Sequence, residues 1–390
     1  MKDYRKENIS FVMKTELHAG DGIAKSLPDH LQKYKWNNIG VIIDKGLYKN
    51  NSYVKDIISL LDTKLVNVLT VINEMAEPTY DYLDELKLNF KDKKIDCFVG
   101  IGGGSTLDIT KGLATLQTNK QKAINYRGMN KVTNIPLPVV ALPSTAGTGS
   151  EVTPYAVFID TEQKWKFGIN SDYNYPRLAF YDSRFLDSCP TNIYASSGMD
   201  AMTHTLESYA AKNATTLSRS FSEKAFHLLF PNLKKISKND RSTDTKLNLL
   251  VGSGCAGIAL MNSGAGPSGA LSYPLGVYFD VPHGLAGSVF LPPVIKYNVE
   301  QGYEEYSNLY DLIYPNTSKN SKEKSLDFAD EIELLSNDLG IPTKLGGFGV
   351  KTNDDLYKII DNAWQLKLAF EQNPVEFGKK QIEMITTNLK

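Results

Sequence analysis

The sequence predicts an α/β domain over residues 1–190 followed by an all-helical domain over residues 191–390. Three observations carry this. Short apolar runs alternate three times with segments of helical spacing in the first third of the chain, the order of a parallel sheet covered by helices. One of those runs, Asp96-Cys97-Phe98-Val99-Gly100-Ile101, passes through Gly102-Gly103-Gly104 into a helix-compatible segment. Alternation then ends near Asn192, and helical periodicity takes over to the last residue.

Taken in order, Asn8 to Val12 is expected to form an edge strand, and Gly20 to Tyr34 a loop followed by an amphipathic helix. Ile39 to Ile43 reads as a buried strand ending at Asp44. A helix is expected over Tyr53 to Leu61, a second strand over Leu65 to Ile72, and a turn at Glu77-Pro78-Thr79. Leu83, Leu86 and Phe90 give Tyr80 to Phe90 helical spacing. The glycine turn follows, with Ser105 as the expected N-cap of a helix running to about Gln117. Pro136 to Leu142 is another strand, Val152 to Ile159 and Lys164 to Ile169 form a hairpin turning at Asp160, and Leu178 to Tyr181 is a last short strand. Beyond the boundary near Pro190, helices are expected over Ala201–Lys212, Ser218–Ile236, Leu247–Met261, His283–Asn298, Lys324–Leu339 and Asp354–Gln365, with a polar surface loop over Tyr314 to Lys324.

Composition narrows the function classes. A formal net charge of −1 on 390 residues gives no sign of a nucleic-acid or membrane-surface partner. Cys97, Cys189 and Cys255 are far apart in apolar contexts, so neither a disulfide framework nor a paired-cysteine metal site is expected. The polar stretch Met1 to Asn8 lacks the apolar core of a signal peptide, and no apolar run approaches a membrane span. A cytoplasmic protein acting on small molecules is the expectation.

Four constellations have chemical potential. A strand feeding Gly102-Gly103-Gly104 and then a helix N-terminus is a ready anion site, because bare backbone permits close approach and unpaired N–H groups point at the ligand. It matches neither of the standard nucleotide fingerprints. Asp200 and His204 stand four residues apart, on one helix face, as a pair that can ligate a divalent metal. Their plainer reading is a cap and a local hydrogen bond. His283, between Pro282 and Gly284, is presented rather than packed, although a turn histidine without a ligand fits equally. Of the other histidines, His227 reads as packed on a helix, and His18 and His30 as surface residues. Thr145 to Ser150 is a hydroxyl-rich loop able to bond a nucleotide, or a plain surface loop. Lys164 and Lys166 sit on the hairpin, where solvated charges are the ordinary reading.

These residues together resemble the iron-containing (group III) alcohol dehydrogenase family over nearly the whole chain. The resemblance rests on Gly102 to Lys111, Pro143 to Val152, Gly198 to His204, and Tyr273-Pro274-Leu275-Gly276 followed by Val281 to Ala286. Glu77-Pro78-Thr79, Leu339 to Thr343 and Asn373-Pro374 add weaker support. The resemblance implies an N-terminal dinucleotide-binding α/β domain and a C-terminal helical domain, the architecture shared with dehydroquinate synthase, with cofactor and metal in the cleft between the two. It implies hydride transfer between NAD(P)H and an alcohol or aldehyde. Gly102, Gly103, Gly104 and Ser105 would hold the pyrophosphate with Asp108 beside it. Thr145 and Thr148 would line the adenine side, and Lys166 would approach the cofactor. Asp44 would accept the ribose hydroxyls and repel a 2′-phosphate, favouring NAD over NADP.

The family's divalent metal, iron or zinc, is held by four residues. Asp200, His204 and His283 match three of them, and Gly269 stands where the fourth, a histidine, is expected. Tyr273 takes a position where the family often has a further histidine. Two accounts follow: a metal held by three protein ligands and water, the open pattern usual for catalytic zinc, or a metal-free site in which His204, His283 or Tyr273 supplies the proton. The expected activity is an aldehyde reductase acting on a small polar carbonyl, and Ala270 to Leu275 looks like the subgroup that reduces phosphonoacetaldehyde, with Lys164, Lys166 and Arg184 as candidate partners for the phosphonate. Alternatives are oxidoreduction of a sugar-derived alcohol in surface-polysaccharide synthesis, or a catalytically silent nucleotide-binding homologue. The expected assembly is a homo-oligomer, specifically a dimer.

Overall fold

The computed structural model describes residues 9–65 and 67–390. The chain forms two compact units. One comprises Met13–Pro190 and Arg241–Val251; the other comprises the described residues before Met13, Thr191–Asp240 and Gly252–Lys390.

The first unit is built on strands β1 (Glu16–Ala19), β2 (Asn38–Asp44), β3 (Asn67–Asn73), β4 (Cys97–Gly102), β5 (Gly128–Met129), β6 (Val139–Pro143), β7 (Val157–Asp160), β8 (Trp165–Asn170) and β9 (Leu178–Tyr181). Its helices are α1 (Leu27–Lys33), α2 (Lys45–Asn50), α3 (Ser52–Lys64), α4 (Tyr80–Lys87) and α5 (Gly104–Thr118). Six strands pair in the order β1-β9-β6-β4-β2-β3, every pair parallel. β4 is buried along its whole length and β2 along all but its last residue, which is why both read as continuous apolar runs without alternation. Ile42, Leu83, Phe90, Phe98, Leu113 and Phe158 share one apolar core. The register sets Asp44 beside Asn73 and Gly102 beside Pro143, so the carboxyl ends of β3, β2, β4 and β6 form one row. Ligands of open parallel sheets bind along such a row. A smaller sheet, β5-β8-β7, contains the expected hairpin, closed by the pair Asp160 and Trp165.

The second unit contains α6 (Thr191–Ala210), α7 (Thr216–Ser237), α9 (Pro267–Phe279), α10 (His283–Ser288), α11 (Leu291–Glu300), α12 (Tyr306–Ile313), α13 (Ser321–Asp338), α14 (Asn353–Ala363), α15 (Lys367–Glu371) and α16 (Lys379–Leu389); α8 spans Thr243–Ser263. Leu271, Leu275, Phe290, Ile359, Phe377 and Ile382 are among the residues of its core. Among the described residues, no single helix is long and apolar enough to cross a membrane.

Several expectations are corrected. Ile9 to Val12 carry no strand, and Asn8 lies outside the described residues; the edge strand is β1, a few residues later. Val66, within the expected second strand, also lies outside them. The helix expected over His283–Asn298 is two helices, because Pro292 and Pro293 fit the first turn of a new helix and not the interior of an old one. The helix α9 was not anticipated, since Gly266-Pro267-Ser268-Gly269 reads as a turn; Pro267 sits in its first turn, where a missing N–H costs nothing. The cap of α5 is Gly103, one residue before the helix, and Ser105 lies inside.

Candidate active site

Two groups of side chains are assembled, one in each unit. In the second, α6 carries Asp200 and His204 one turn apart. The helix begins at Thr191, so Asp200 lies in its interior and does not cap it. His283 arrives from a distant part of the sequence. At the end of α9 the chain turns through Asp280, which adopts a left-handed φ of 53°, and Pro282 caps α10, of which His283 is the first residue. Gly284 then lies flat on α6. A Cβ there would stand 1.9 Å from the Ser196 carbonyl oxygen and 2.9 Å from the Asp200 Cβ. Glycine alone permits that approach, and the approach is what draws His283 to the Asp200 face.

One donor atom from each of Asp200, His204 and His283 lies within 4.8 Å of the other two. Asp200 Oδ1 is 3.7 Å from His204 Nε2 and 3.8 Å from His283 Nε2. The carboxylate is buried and both imidazoles are half-buried. Two imidazoles and one carboxylate suit iron or zinc. Ser272, fully buried on α9, sets the tautomer of His283. Its hydroxyl donates to the Gly269 carbonyl at 2.6 Å and lies 2.8 Å from His283 Nδ1. A serine has one proton to give, so while the Gly269 carbonyl holds it, Nδ1–H is the donor to Oγ. That leaves the lone pair on Nε2, the atom facing Asp200. Such an outer contact is what normally orients a ligating histidine. The Nδ1 of His204 is buried and makes no hydrogen bond among the described residues. The Tyr273 ring meets His283 edge-on, with centroids 5.0 Å apart.

Gly269, on the first turn of α9, brings no side chain toward this group. Its N–H points instead at Glu207, a buried residue of α6. Glu207 accepts from the backbone N–H groups of Gly266 (2.8 Å), Ser268 (2.5 Å) and Gly269 (3.2 Å), so it caps α9. Burial pushes its carboxyl above the ordinary range, against the pull of those three N–H groups. A Cβ on Gly269 would stand 3.1 Å from Glu207 Oε2 and meet nothing else within 4 Å.

In the first unit, the glycine turn joins β4 to α5. A Cβ on Gly104 would meet the Thr148 methyl at 2.5 Å, one on Gly102 the Thr106 Cβ at 2.7 Å, and one on Gly103 the Thr145 hydroxyl at 3.3 Å. The threonines of the chain therefore demand bare backbone here, whatever the ligand demands. The Ser105 hydroxyl donates to the Ala76 carbonyl. Asp44 Oδ1 accepts from Leu47 N at 2.8 Å as the cap of α2. Asp108 is committed within the protein. Its Oδ1 accepts from the Ser150 hydroxyl at 2.5 Å and pairs with Lys111, and its Oδ2 accepts from Val157 N at 2.9 Å, so it anchors the threonine loop to α5 and β7. Lys166 pairs with Glu77 at 2.6 Å. Burial lowers the Lys111 ammonium, whose Nζ is held by Asp108 and by the Ser150, Thr153 and Tyr155 carbonyls. Burial pushes the neighbouring Glu151 carboxyl up to about 7.

The histidine forecast is corrected in part. His227 is exposed on α7, whereas His18 and His30 are half-buried and lie together. Sequence reasoning missed Ser272, Glu207, Lys111 and Asn73. Glu207 left one signal, its place three residues beyond His204. Asn73 donates to the Thr106 hydroxyl at 3.0 Å, tying the end of β3 to α5.

Comparison with known proteins covers both units. The family description "Iron-containing alcohol dehydrogenase" matches residues 14–183, and "Fe-containing alcohol dehydrogenase family, C-terminal" matches residues 194–389. The chain is 35% identical to the 1,3-propanediol dehydrogenase of Klebsiella pneumoniae over 69% of its own length and 70% of that protein. It is 28% identical to the sulfoacetaldehyde reductase of Bilophila wadsworthia over 96% of its length and 97% of that protein. Among solved structures, an alcohol dehydrogenase from Oenococcus oeni superposes with a TM-score of 0.93 at 25% identity, covering 98% of this chain and 100% of that one.

Proposed function

The chain belongs to the iron-containing alcohol dehydrogenase family, and we propose that it works as an NADH-dependent reductase of small polar aldehydes at a three-ligand metal site. Membership makes it an NAD(P)-dependent oxidoreductase acting on CH–OH groups. The observation that carries the finer reading is the convergence of Asp200, His204 and His283 within 4.8 Å. A divalent ion held there, iron or zinc, would supply Lewis-acid polarisation of a carbonyl. Asp200 contributes the charge. Ser272 keeps the His283 lone pair on Nε2. By resemblance the fourth ligand position is Gly269, whose N–H is turned to Glu207, so that position is left to water or substrate.

For the cofactor, the N–H groups at the start of α5 would take the pyrophosphate, with Gly102, Gly103 and Gly104 giving access, and Ser105, Thr145 and Thr148 bordering it. Asp44 has one oxygen on the α2 cap and the other free to accept from a ribose hydroxyl, which favours NAD. Lys166, joined to Glu77, would face the cofactor as an ion pair and not as a lone cation.

Phosphonoacetaldehyde is the substrate we assign first, supported by the sequence Ala270 to Leu275 and by the similarity to a sulfoacetaldehyde reductase. Of the three candidate cations for the phosphonate, Lys166 pairs with Glu77 and Arg184 with Asp21. A panel of phosphonoacetaldehyde, sulfoacetaldehyde, lactaldehyde and propanal, followed by NADH consumption, tests this. The highest kcat/KM should fall on an anionic aldehyde, and a preference for propanal would reject that assignment while leaving the reductase reading intact. No NADH consumption with any aldehyde, and no NAD reduction with the matching alcohols, would reject both. The edge contact of Tyr273 with His283 favours a second reading, in which no metal is needed and Tyr273 donates the proton.

A further inference from the structure

We propose a second divalent-metal site, of the zinc-binding class, formed by Glu16, His18 and His30 in the α/β unit. Among the described residues this is one of two groups in which three such donors converge within 4.8 Å, the other being Asp200, His204 and His283. Glu16 and His18 alternate on β1 and so project from the same face of the strand. His30 comes from α1. His18 Nε2 is 3.3 Å from Glu16 Oε1, and the two imidazole centroids are 4.2 Å apart.

Three features mark a built site. The ring planes are fixed by Phe180 of β9, which stacks on His18 at 4.8 Å and meets His30 edge-on at 5.3 Å. Among the described residues, His18 Nε2 and His30 Nδ1 are buried and make no aligned hydrogen bond, with His18 Nε2 facing the Glu16 carboxylate. A buried ring nitrogen without a hydrogen bond is costly, and a cation shared among Glu16, His18 and His30 would offset that cost. Finally, the second oxygen of Glu16 accepts from the Tyr34 hydroxyl at 3.0 Å, and that hydroxyl accepts from Arg177 at 3.0 Å. This is the outer hydrogen bonding usual behind a ligating carboxylate. Two histidines and one carboxylate are a zinc-type donor set, in which bonds of about 2.0–2.2 Å hold donors roughly 3.4 Å apart. Binding requires the donors to draw in by about an ångström, within the reach of side-chain rotation. The ion would tie the four-residue strand β1, paired to β9 at the end of the sheet among the described residues, to α1. Its role is structural, since metal affinity for the folded state adds to stability.

The test is a calorimetric titration of the chelator-stripped full chain with Zn²⁺, in the wild type, in Asp200→Asn/His204→Ala, in His18→Phe and in His30→Gln. His18→Phe keeps a ring against Phe180, and either variant carries the test if the other fails to fold. The double variant leaves β1 and α1 untouched. It should still bind one equivalent, and its thermal midpoint should rise with Zn²⁺. His18→Phe and His30→Gln should each lower the affinity of that equivalent by about 10²-fold or more. Loss of all zinc binding in Asp200→Asn/His204→Ala would overturn the proposal, as would unchanged stoichiometry and affinity in His18→Phe and His30→Gln. A wild type binding one equivalent that only the β1 and α1 variants remove would uphold this site and reject the metal at Asp200.

Discussion

Ser272→Ala should weaken metal binding at the Asp200 site without touching a ligand. Ser272 is fully buried, and its hydroxyl lies 2.8 Å from His283 Nδ1 while donating to the Gly269 carbonyl at 2.6 Å. Removing the oxygen leaves Nδ1–H without its acceptor. The neutral imidazole then redistributes between tautomers, and the ring loses the contact that fixes its plane. Loss of such an outer partner costs about 10–100-fold in metal affinity, or about 1.4–2.7 kcal/mol. The direct assay is competition between a chromophoric chelator and the stripped protein for Zn²⁺. It is best run in a His30→Gln background so that only one site reports. Ser272→Thr keeps the hydroxyl and should recover most of the affinity, which separates the hydrogen bond from general packing. An unchanged affinity in Ser272→Ala would refute the argument that this hydroxyl governs His283.

Four further outcomes are expected. Gly269→His should tighten metal binding, because the new Cβ faces a single contact, Glu207 Oε2 at 3.1 Å, and that carboxylate can yield a few tenths of an ångström; unchanged affinity would show that position 269 does not address the metal, and turnover need not rise, since the added ligand fills the open position. Tyr273→Phe should be mild if a metal polarises the carbonyl, and should cost on the order of 10²–10⁴ in kcat if the phenol is the proton donor, read from NADH consumption. Asp44→Gly should narrow the gap between NADH and NADPH affinity, and a wild type that prefers NADPH would contradict the role given to Asp44. Glu151→Gln should flatten the pH dependence of stability: with the folded carboxyl raised from 4.5 to about 7, the wild type binds more protons folded than unfolded in that window and loses stability as pH rises through it, so thermal midpoints of wild type and variant that run parallel from pH 4.5 to 7 would contradict the assignment.

What the sequence disclosed depended on whether a signal was local. β2 and β4 were legible because burial on both faces leaves an unbroken apolar run. Asp200 and His204 were legible as a pair because their spacing is the helical repeat. Gly284 shows why Pro282-His283-Gly284 presents its histidine, but the α6 backbone against which it lies comes from far away in sequence. The helix α9 was hidden because its start is secured by Glu207, a residue of another helix, and the local signal, Pro267 at its first turn, stands between glycines that equally suit a turn. The same holds for Ser272, an ordinary helical serine until His283 is folded against it. His18 and His30 read as surface residues because the group that orders them, Phe180, is supplied by β9 through parallel pairing. The glycine turn joins β4 to α5 as its sequence indicates, but the need for bare backbone there has a source outside the turn, since Thr148 excludes a side chain at Gly104 as firmly as a ligand would.

Carbonyl reduction is proposed to depend on a metal held by Asp200, His204 and His283. The most direct test follows NADH-dependent aldehyde reduction through exhaustive chelation and back-titration with Fe²⁺ or Zn²⁺, in His30→Gln so that the Glu16 cluster cannot contribute. Activity should fall to background as metal leaves and return with one equivalent of ion per chain, and Asp200→Asn/His204→Ala should not recover. A His30→Gln protein that retains full turnover with no metal remaining would contradict the account and leave the proton to Tyr273 or a histidine.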